Sequence, residues 1–219
     1  MARNTKEDAL ITRGLLLDAA EVLFSLKGVA SVSLSQIAWH VGLSTDALYW
    51  HFENKNALLA AMFERNYATI EERIQRFRRQ GKENGNLEQI RTFCMGLVDE
   101  PFTDPQRTRF FTILLTRTEM TEKNALAIQF RRSIAEVIAG LRGAIRVAIA
   151  GGDLPATLSS DRGARYLHSR ILGSLKLVLE EEPDNQSPSV ARMSVSAALT
   201  ALTRYQLAGT LYPPLLPGR

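Results

Sequence analysis

The sequence predicts an all-α protein of about nine helices. Glycine and proline cluster at a few places in the 219 residues, so long stretches remain in which nothing interrupts a helix. Apolar residues recur in these stretches at steps of three and four, and valine and isoleucine nowhere alternate with polar residues for long. We expect an N-terminal three-helix helix-turn-helix domain over residues 1–55, extending with the start of helix 4 to about residue 63, and a C-terminal helical bundle over residues 56–219.

Two short helices joined by a tight turn are predicted within SLSQIAWHVGLSTDALYWH. Ser33 is a good N-cap residue, and Gln36 three positions later completes a capping box. Gly42 ends the first helix because glycine takes the left-handed conformation readily. Ser44 then caps a second helix over about residues 45–51. A helix-turn-helix of this kind inserts the start of its second helix into the major groove of DNA.

The other helices are bounded by glycine, proline or capping residues. Thr5 with Asp8 forms the expected cap of the first helix, and Gly28 ends it. The best loop in the sequence is GKENGN, residues 81–86. We expect the remaining helices over residues 56–80, 87–99, 106–119, 126–150, 160–180 and 189–208.

Charge is mildly basic, with a net charge of +4 and a pI of about 9.4, which suits an anionic partner. The charge is not concentrated in residues 1–55, which hold five Lys/Arg and six Asp/Glu. DNA binding by this region must therefore rely on a few placed cations, polar groups and helix N-termini. We interpret the basic run at residues 65–82 as a solvated helix face in preference to a second nucleic-acid surface.

Several classes of protein are not expected. The sequence has no apolar run long enough to span a membrane and no signal peptide. A single cysteine, Cys94, excludes an intrachain disulfide and fits a cytoplasmic protein. The three histidines have no metal-ligand spacing, and neither a phosphate loop nor a nucleophile elbow is present. We therefore expect no enzymatic activity, no metal and no cofactor.

The amino-acid sequence of the predicted helix-turn-helix resembles that of a known protein family. The segments LSQIAWHVGLS and LYWHFENKNALL, with TKEDALITRGLLLDAAEVLFSLKGV before them, are similar to the DNA-binding domain of the TetR family of bacterial repressors. The resemblance covers about residues 5–63 and is strongest to repressors of multidrug efflux pumps. RTEM at residues 117–120 and GDLP at 152–155 resemble the same branch.

The resemblance implies a homodimeric repressor that binds palindromic double-stranded operator DNA. A small hydrophobic ligand releases it, and the regulated gene encodes a multidrug efflux pump. The alternative is a regulator of other genes, or a structural DNA-binding protein, without a small-molecule inducer. Nothing in the residues supports an enzyme on a helical scaffold.

The predicted DNA contacts begin at the N-terminal end of the second short helix. Thr45 donates or accepts at a base edge or phosphate, Ala47 contacts a thymine methyl, and Asp46 accepts from a cytosine amino group. A favourable charge in the first helical turn explains Asp46 equally well. Asp46 also departs from the basic or glycine residues frequent in the efflux repressors. The resemblance adds five contacts to DNA, and these are Ser33, Ser35, Tyr49, His51 and Lys55. We expect Trp50 and Phe52 to pack, and His40 to lie on the surface.

The resemblance also implies a ligand pocket in the bundle, walled by aromatic and apolar side chains. An ordinary core is the alternative for each of them, since they recur at helical spacing. His168 and Arg117 are possible polar anchors. The other candidates are Phe63, Tyr67, Phe93, Leu97, Phe110, Phe111, Leu114, Leu115, Met120, Phe130 and Ile134.

A dimer is expected because one helix-turn-helix reads only a few base pairs. The last two helices are the predicted interface. One stripe on them is aliphatic, and the other is a face of small residues that lets helices approach closely. Packing inside one subunit is the alternative. The predicted interface residues are Leu167, Ile171, Leu175 and Val178, with Ser194, Ala197, Ala198, Ala201 and Tyr205.

Overall fold

The computed structural model describes residues 6–119, 121–181 and 185–204, without the side chains of 82–84. The described regular structure is entirely helical, which confirms the predicted all-α class. It comprises α1 (Lys6–Lys27), α2 (Leu34–His40), α3 (Thr45–His51), α4 (Lys55–Asn84), α5 (Leu87–Asp99), a 3-10 turn (Glu100–Phe102), α6 (Pro105–Thr116), α7 (Ala125–Ala150), α8 (Ser160–Leu179) and α9 (Ser189–Thr203).

The predicted caps of the helix-turn-helix are confirmed. The Ser33 side chain accepts from the Gln36 N–H at 3.2 Å, and the Gln36 side chain accepts from the Ser33 N–H at 2.8 Å. Gly28 and Gly42 follow α1 and α2 with φ of 82° and 71°, which only glycine adopts without strain. The predicted cap Thr5 lies outside the described residues.

The predicted loop over residues 81–86 is wrong for its first four residues, because α4 continues to Asn84. Gly81 does not break the helix. A Cβ at Gly81 would lie 3.1 Å from the Ala144 Cβ, so the glycine permits close packing of α4 against α7. In the sequence, glycine indicates the end of a helix, and a packing partner more than sixty residues away leaves no local signal. α6 ends at Thr116, before the expected Glu119.

The chain divides into two compact units by its internal contacts. Unit 1 comprises residues 1–69 and 101–133, and unit 2 comprises residues 70–100 and 134–219. In unit 1, α1 packs on α2 and α6 around the fully buried residues Phe24, Ile37, Leu48 and Phe110. The predicted functional boundary at residues 55/56 is a separate matter and stays a prediction.

Unit 2 is built on the paired helices α8 and α9, both of which contact α5. Phe77 of α4 stacks on Phe93 of α5 with ring centroids 3.8 Å apart. Arg73 donates to the Gly96 carbonyl at 2.5 Å and pairs with the Glu100 carboxylate at 2.8 Å. Within the described helices, none has the length and apolar character needed to cross a membrane.

Candidate nucleic-acid interface

α3 begins at a capped turn and buries one side only. The Ser44 side chain accepts from the Ala47 N–H at 3.2 Å. Leu48 is fully buried, and Phe52 just beyond the helix is 2% exposed, as expected for a packing residue. These two residues lie one turn apart and anchor α3 to unit 1. The opposite side of α3 is therefore accessible to a partner.

The predicted contacts on α3 lie on that accessible side or in the first turn. Asp46 is exposed, and Tyr49 is 52% exposed. Thr45 and Ala47 are partly buried in the first turn. Their polar and methyl groups sit at the helix start, the part of a recognition helix that reaches base edges.

Trp50 is not the packing residue that the sequence predicts. Its side chain is 72% exposed. Leu48 and Phe52 already supply the buried side of α3, and Trp50 lies between them in sequence, about 200° around the helix from each. Helix geometry places Trp50 on the outer side of α3, although a large aromatic ring by itself favours burial.

His51 is partly buried beside an aromatic edge. The centroid of its ring lies 4.6 Å from that of the Trp50 ring, and the two ring planes make an angle of 87°. Burial, and secondly the positive charge of Arg13, lowers the pKa of His51. At neutral pH the imidazole is therefore neutral and provides one hydrogen-bond donor and one acceptor rather than a cation.

Two of the predicted backbone contacts, Ser33 and Lys55, already have hydrogen-bond partners within the protein. The Ser33 hydroxyl serves the capping box with Gln36, and Ser35 is partly buried. The Lys55 ammonium donates to the Val32 carbonyl at 2.6 Å and to the Val29 carbonyl. Burial lowers the pKa of Lys55. Two of its three N–H donors are thus bound internally, which leaves one for a phosphate.

A buried charge network joins α1, α4 and α6 of unit 1. Glu21 is fully buried, pairs with Arg65 at 2.6 Å and accepts from the Asn66 amide at 2.6 Å. Desolvation raises the pKa of Glu21 despite these partners. Arg107 of α6 donates to the Asn66 carbonyl at 2.6 Å and to the Thr69 hydroxyl at 2.5 Å. These bonds hold the unit 1 part of α4 against α1 and α6.

The turn before α2 and the start of α4 are tied to the segment between α6 and α7. The Val29 N–H donates to the Arg117 carbonyl at 3.1 Å. The Asn56 amide donates to the Lys123 carbonyl at 3.1 Å and accepts from the Ala125 N–H at 3.4 Å. Arg117, Lys123 and Ala125 are therefore bonded directly to the elements that flank α2 and α3.

The predicted pocket residues are mostly packed. In unit 1, the Phe63 ring stacks on the Tyr67 ring with centroids 4.5 Å apart. The Phe110 ring centroid lies 6.0 Å from that of Phe63 and 5.3 Å from that of Phe111. Leu114 and Phe130 are also buried, Leu115 is partly buried, and Arg117 is exposed. This packing supports the core interpretation for the aromatic residues, and the pocket stays a prediction.

The other described pocket candidates lie in unit 2. Phe93 is packed on Phe77, and Leu97 and Ile134 are partly buried. His168 is 9% exposed, and burial lowers its pKa to about 4. Met120 lies outside the described residues. An open cleft of about 550 Å³ in unit 2 is lined by none of the candidates, but by Asn86, Leu87, Glu88, Arg91 and Asp153.

The predicted aliphatic dimer stripe is wrong. Leu167, Ile171, Leu175 and Val178 are at most 3% exposed within a single chain, as is Ala198 of α9. They form the interior of unit 2, which was the alternative interpretation, and no second subunit can reach them. Of the small residues, Ala197 and Ala201 are exposed and Ser194 is partly buried, whereas Tyr205 lies outside the described residues.

The outer faces of α8 and α9 carry further exposed apolar residues, which are not among the predicted interface residues. Tyr166 and Leu177 of α8 are 40% and 57% exposed, and Val190 and Met193 of α9 are 48% and 72% exposed. Gly173 is exposed between the two α8 residues. We call Tyr166, Gly173, Leu177, Val190, Met193, Ala197 and Ala201 the outer α8–α9 face.

A capped helix-turn-helix with an accessible second helix defines a DNA-binding protein, and comparison with known proteins gives its family. Residues 16–62 match the family described as bacterial regulatory proteins, tetR family. The chain is 30% identical over 187 residues to the HTH-type transcriptional regulator TtgR of Pseudomonas putida, covering 84% of this chain and 89% of TtgR. It is 30% identical to the HTH-type transcriptional regulator AcrR of Shigella flexneri, and this match covers 80% of this chain and 82% of AcrR.

Solved structures agree. The crystal structure of NalD, the secondary repressor of the MexAB-OprM multidrug efflux pump in Pseudomonas aeruginosa, matches with a TM-score of 0.76 and 29% identity. The match covers 91% of this chain and 99% of NalD. The chain belongs to the TetR family, and it is a transcriptional regulator rather than an enzyme.

Proposed function

We propose that the protein is a homodimeric repressor of a multidrug efflux-pump operon, released from its operator by a small hydrophobic ligand. The observation that carries the proposal is the capped α3, anchored by Leu48 and Phe52, with Asp46, Tyr49 and Trp50 exposed. The efflux-pump role is supported by the similarity to NalD over nearly its whole length. Residues 1–55 form the DNA-binding domain and residues 56–219 the dimerisation and ligand-binding region. The protein acts in the cytoplasm, where its DNA target lies.

In the complex with DNA, α3 enters the major groove by its N-terminal end. Thr45, Asp46 and Ala47 read bases, while Tyr49 and His51 contact the backbone or base edges. Trp50 joins this surface because of its exposure. Ser33, Ser35 and the remaining N–H of Lys55 supply contacts to phosphate.

The outer α8–α9 face is the proposed dimer interface. Its exposed apolar and small residues suit close packing of helix pairs from two subunits. Dimerisation places two copies of α3 on one palindrome, with half-sites about 34 Å or more apart. The ligand acts by preferring a spacing of the two helices that no longer matches the operator. The bonds from Val29 and Asn56 to residues 117–125 support a route from the bundle to α2 and α3.

A second candidate is a DNA-binding regulator without an inducer. The close packing of Phe63, Tyr67, Phe110 and Phe111 favours it, because a filled core leaves no room for a ligand. An unchanged melting temperature across a panel of hydrophobic drugs and dyes is its expected outcome, whereas an inducer raises the melting temperature.

The test is fluorescence anisotropy with a labelled duplex of the intergenic DNA next to the gene, with and without hydrophobic pump substrates. We expect tight binding to this duplex, release by one or more of the compounds, and a loss of roughly tenfold on every sequence in Tyr49→Ala. Leu26→Ala removes an exposed apolar side chain from the end of α1, 71% exposed against 52% for Tyr49, and should bind normally. Failure to bind any duplex would overturn the proposed function.

A further inference from the structure

Trp39 is an exposed tryptophan that lies on α2, so a role of α3 in DNA binding does not account for its exposure. It is 71% exposed and lies in the last turn of α2. Ile37 and Ala38 are fully buried and define the inner side of this helix. Trp39 lies about 150° around the helix from the middle of that side. The Gly42 N–H donates to the Trp39 carbonyl at 3.1 Å, so its backbone is fixed at the turn that leads to α3.

The surroundings of Trp39 on α2 are polar. Ser35 precedes it by four residues and Gln36 by three, so both are its neighbours on the helix surface, and exposed His40 follows it. A second protein subunit would need a contiguous apolar patch rather than one ring among hydrogen-bonding side chains. Hydroxyl, amide and imidazole groups are instead the side chains that contact phosphates and sugars in protein–DNA complexes.

We propose that Trp39 is a DNA-backbone contact that extends the interface from α3 onto the outer side of α2. The indole N–H donates to a phosphate oxygen, and the ring packs on the adjacent deoxyribose. The proposal rests on the proposed function, in which α2 crosses the backbone while α3 lies in the groove. Ser35 and Trp39 are about 6 Å apart along α2, so both can follow one strand.

The chain has two tryptophans, Trp39 and Trp50, and both lie in the helix-turn-helix, which makes the proposal measurable. In full-length Trp50→Phe, Trp39 is the sole tryptophan emitter. The probes are a duplex of roughly 30 base pairs from the neighbouring intergenic DNA and a scrambled duplex of equal composition. We expect the Trp39 emission to change when either duplex is bound at saturation.

Affinity gives the second measurement, with Trp50 present. We expect Trp39→Ala to bind both duplexes roughly three- to tenfold more weakly, and Trp39→Phe to lose less because it keeps a ring. The dependence of affinity on salt should not change, because tryptophan carries no charge. Leu26→Ala, which removes a side chain that is also 71% exposed, is the matched control.

The possible outcomes separate the proposal from its foundation. Binding of both duplexes by Trp39→Ala as tightly as by Leu26→Ala overturns the role of Trp39 but leaves the proposed function intact. A change in the oligomeric state of Trp39→Ala, with unaltered DNA affinity, overturns it in favour of contact between copies. If the wild-type protein binds neither duplex, the proposed function itself fails.

Discussion

The helix-turn-helix and the α8–α9 pair both carry apolar residues at helical spacing, but they use them in opposite ways. In α3, Leu48 anchors a short helix of seven residues whose outer side holds Asp46, Tyr49 and Trp50. In α8, a longer and more regular apolar stripe that includes Leu167 and Leu175 is buried inside unit 2. A periodic stripe identifies a buried side, but it does not say whether the same chain or a second chain buries it.

The outer face of α8 makes the same point from the other direction. Tyr166, Gly173 and Leu177 are spaced by seven and four residues and share one side of the helix, yet they are exposed. α8 thus carries apolar residues on two sides, one buried within the subunit and one accessible, and the accessible side also holds exposed Arg170, which donates to the Ser194 hydroxyl of α9. Four substitutions break or sharpen this contrast, and they follow from the largest expected effect to the smallest.

Leu177→Asp should abolish the dimer. A charge on an apolar contact face costs its desolvation in the dimer, while Leu177 is 57% exposed in one chain, so the subunit itself should still fold. Light scattering should report a monomer. Operator affinity should fall by about 10²- to 10⁴-fold because binding of the two half-sites is no longer linked. A dimer that persists with full affinity would remove the outer α8–α9 face as the interface.

Leu175→Ala, two residues away, should act on folding instead. Leu175 is 3% exposed, so truncation leaves a cavity and lowers the free energy of unfolding by about 2–5 kcal/mol. Urea unfolding at fixed protein concentration measures this loss. A protein of wild-type stability that has become monomeric would show that the aliphatic stripe of α8 is a subunit interface.

His168→Gln should flatten the pH dependence of stability. Burial lowers the pKa of His168 from 6.5 to about 4, so the neutral form is favoured in the folded state. Its contribution is fully present above pH 6.5 and is lost as the pH falls toward 4. The loss amounts to about 3 kcal/mol. Unfolding at several pH values should show a smaller decline for His168→Gln than for the wild-type protein. Parallel curves would exclude the shift.

Lys55→Ala tests the helix-turn-helix side of the contrast. Loss of the bonds to the Val29 and Val32 carbonyls should lower stability by about 1–3 kcal/mol. If the third N–H contacts a phosphate, binding weakens on all sequences and the slope of log affinity against log salt falls by about 0.9. Lys27→Ala, an exposed lysine at the end of α1, controls for bulk charge. A lower melting temperature with an unchanged slope would assign Lys55 to positioning alone.

Sequence reasoning succeeded where a feature depends on neighbours along the chain. The capping box of Ser33 and Gln36 and the left-handed Gly42 are formed by residues within a few positions of one another. Sequence reasoning failed where a feature depends on packing against residues that are distant in sequence. Gly81 lies within α4, where it allows close packing against Ala144 instead of ending the helix, and the Lys55 ammonium is bound by carbonyls of the turn before α2.

The amino-acid sequence alone established the all-α class, the position of the helix-turn-helix and the family, since capping, periodicity and motif wording are local. Only the folded chain showed which apolar side of α8 is interior, that both tryptophans are exposed, and that Glu21 is buried between Arg65 and Asn66. Burial is a property of the space between elements. It depends on contacts across tens of residues, which no local pattern encodes.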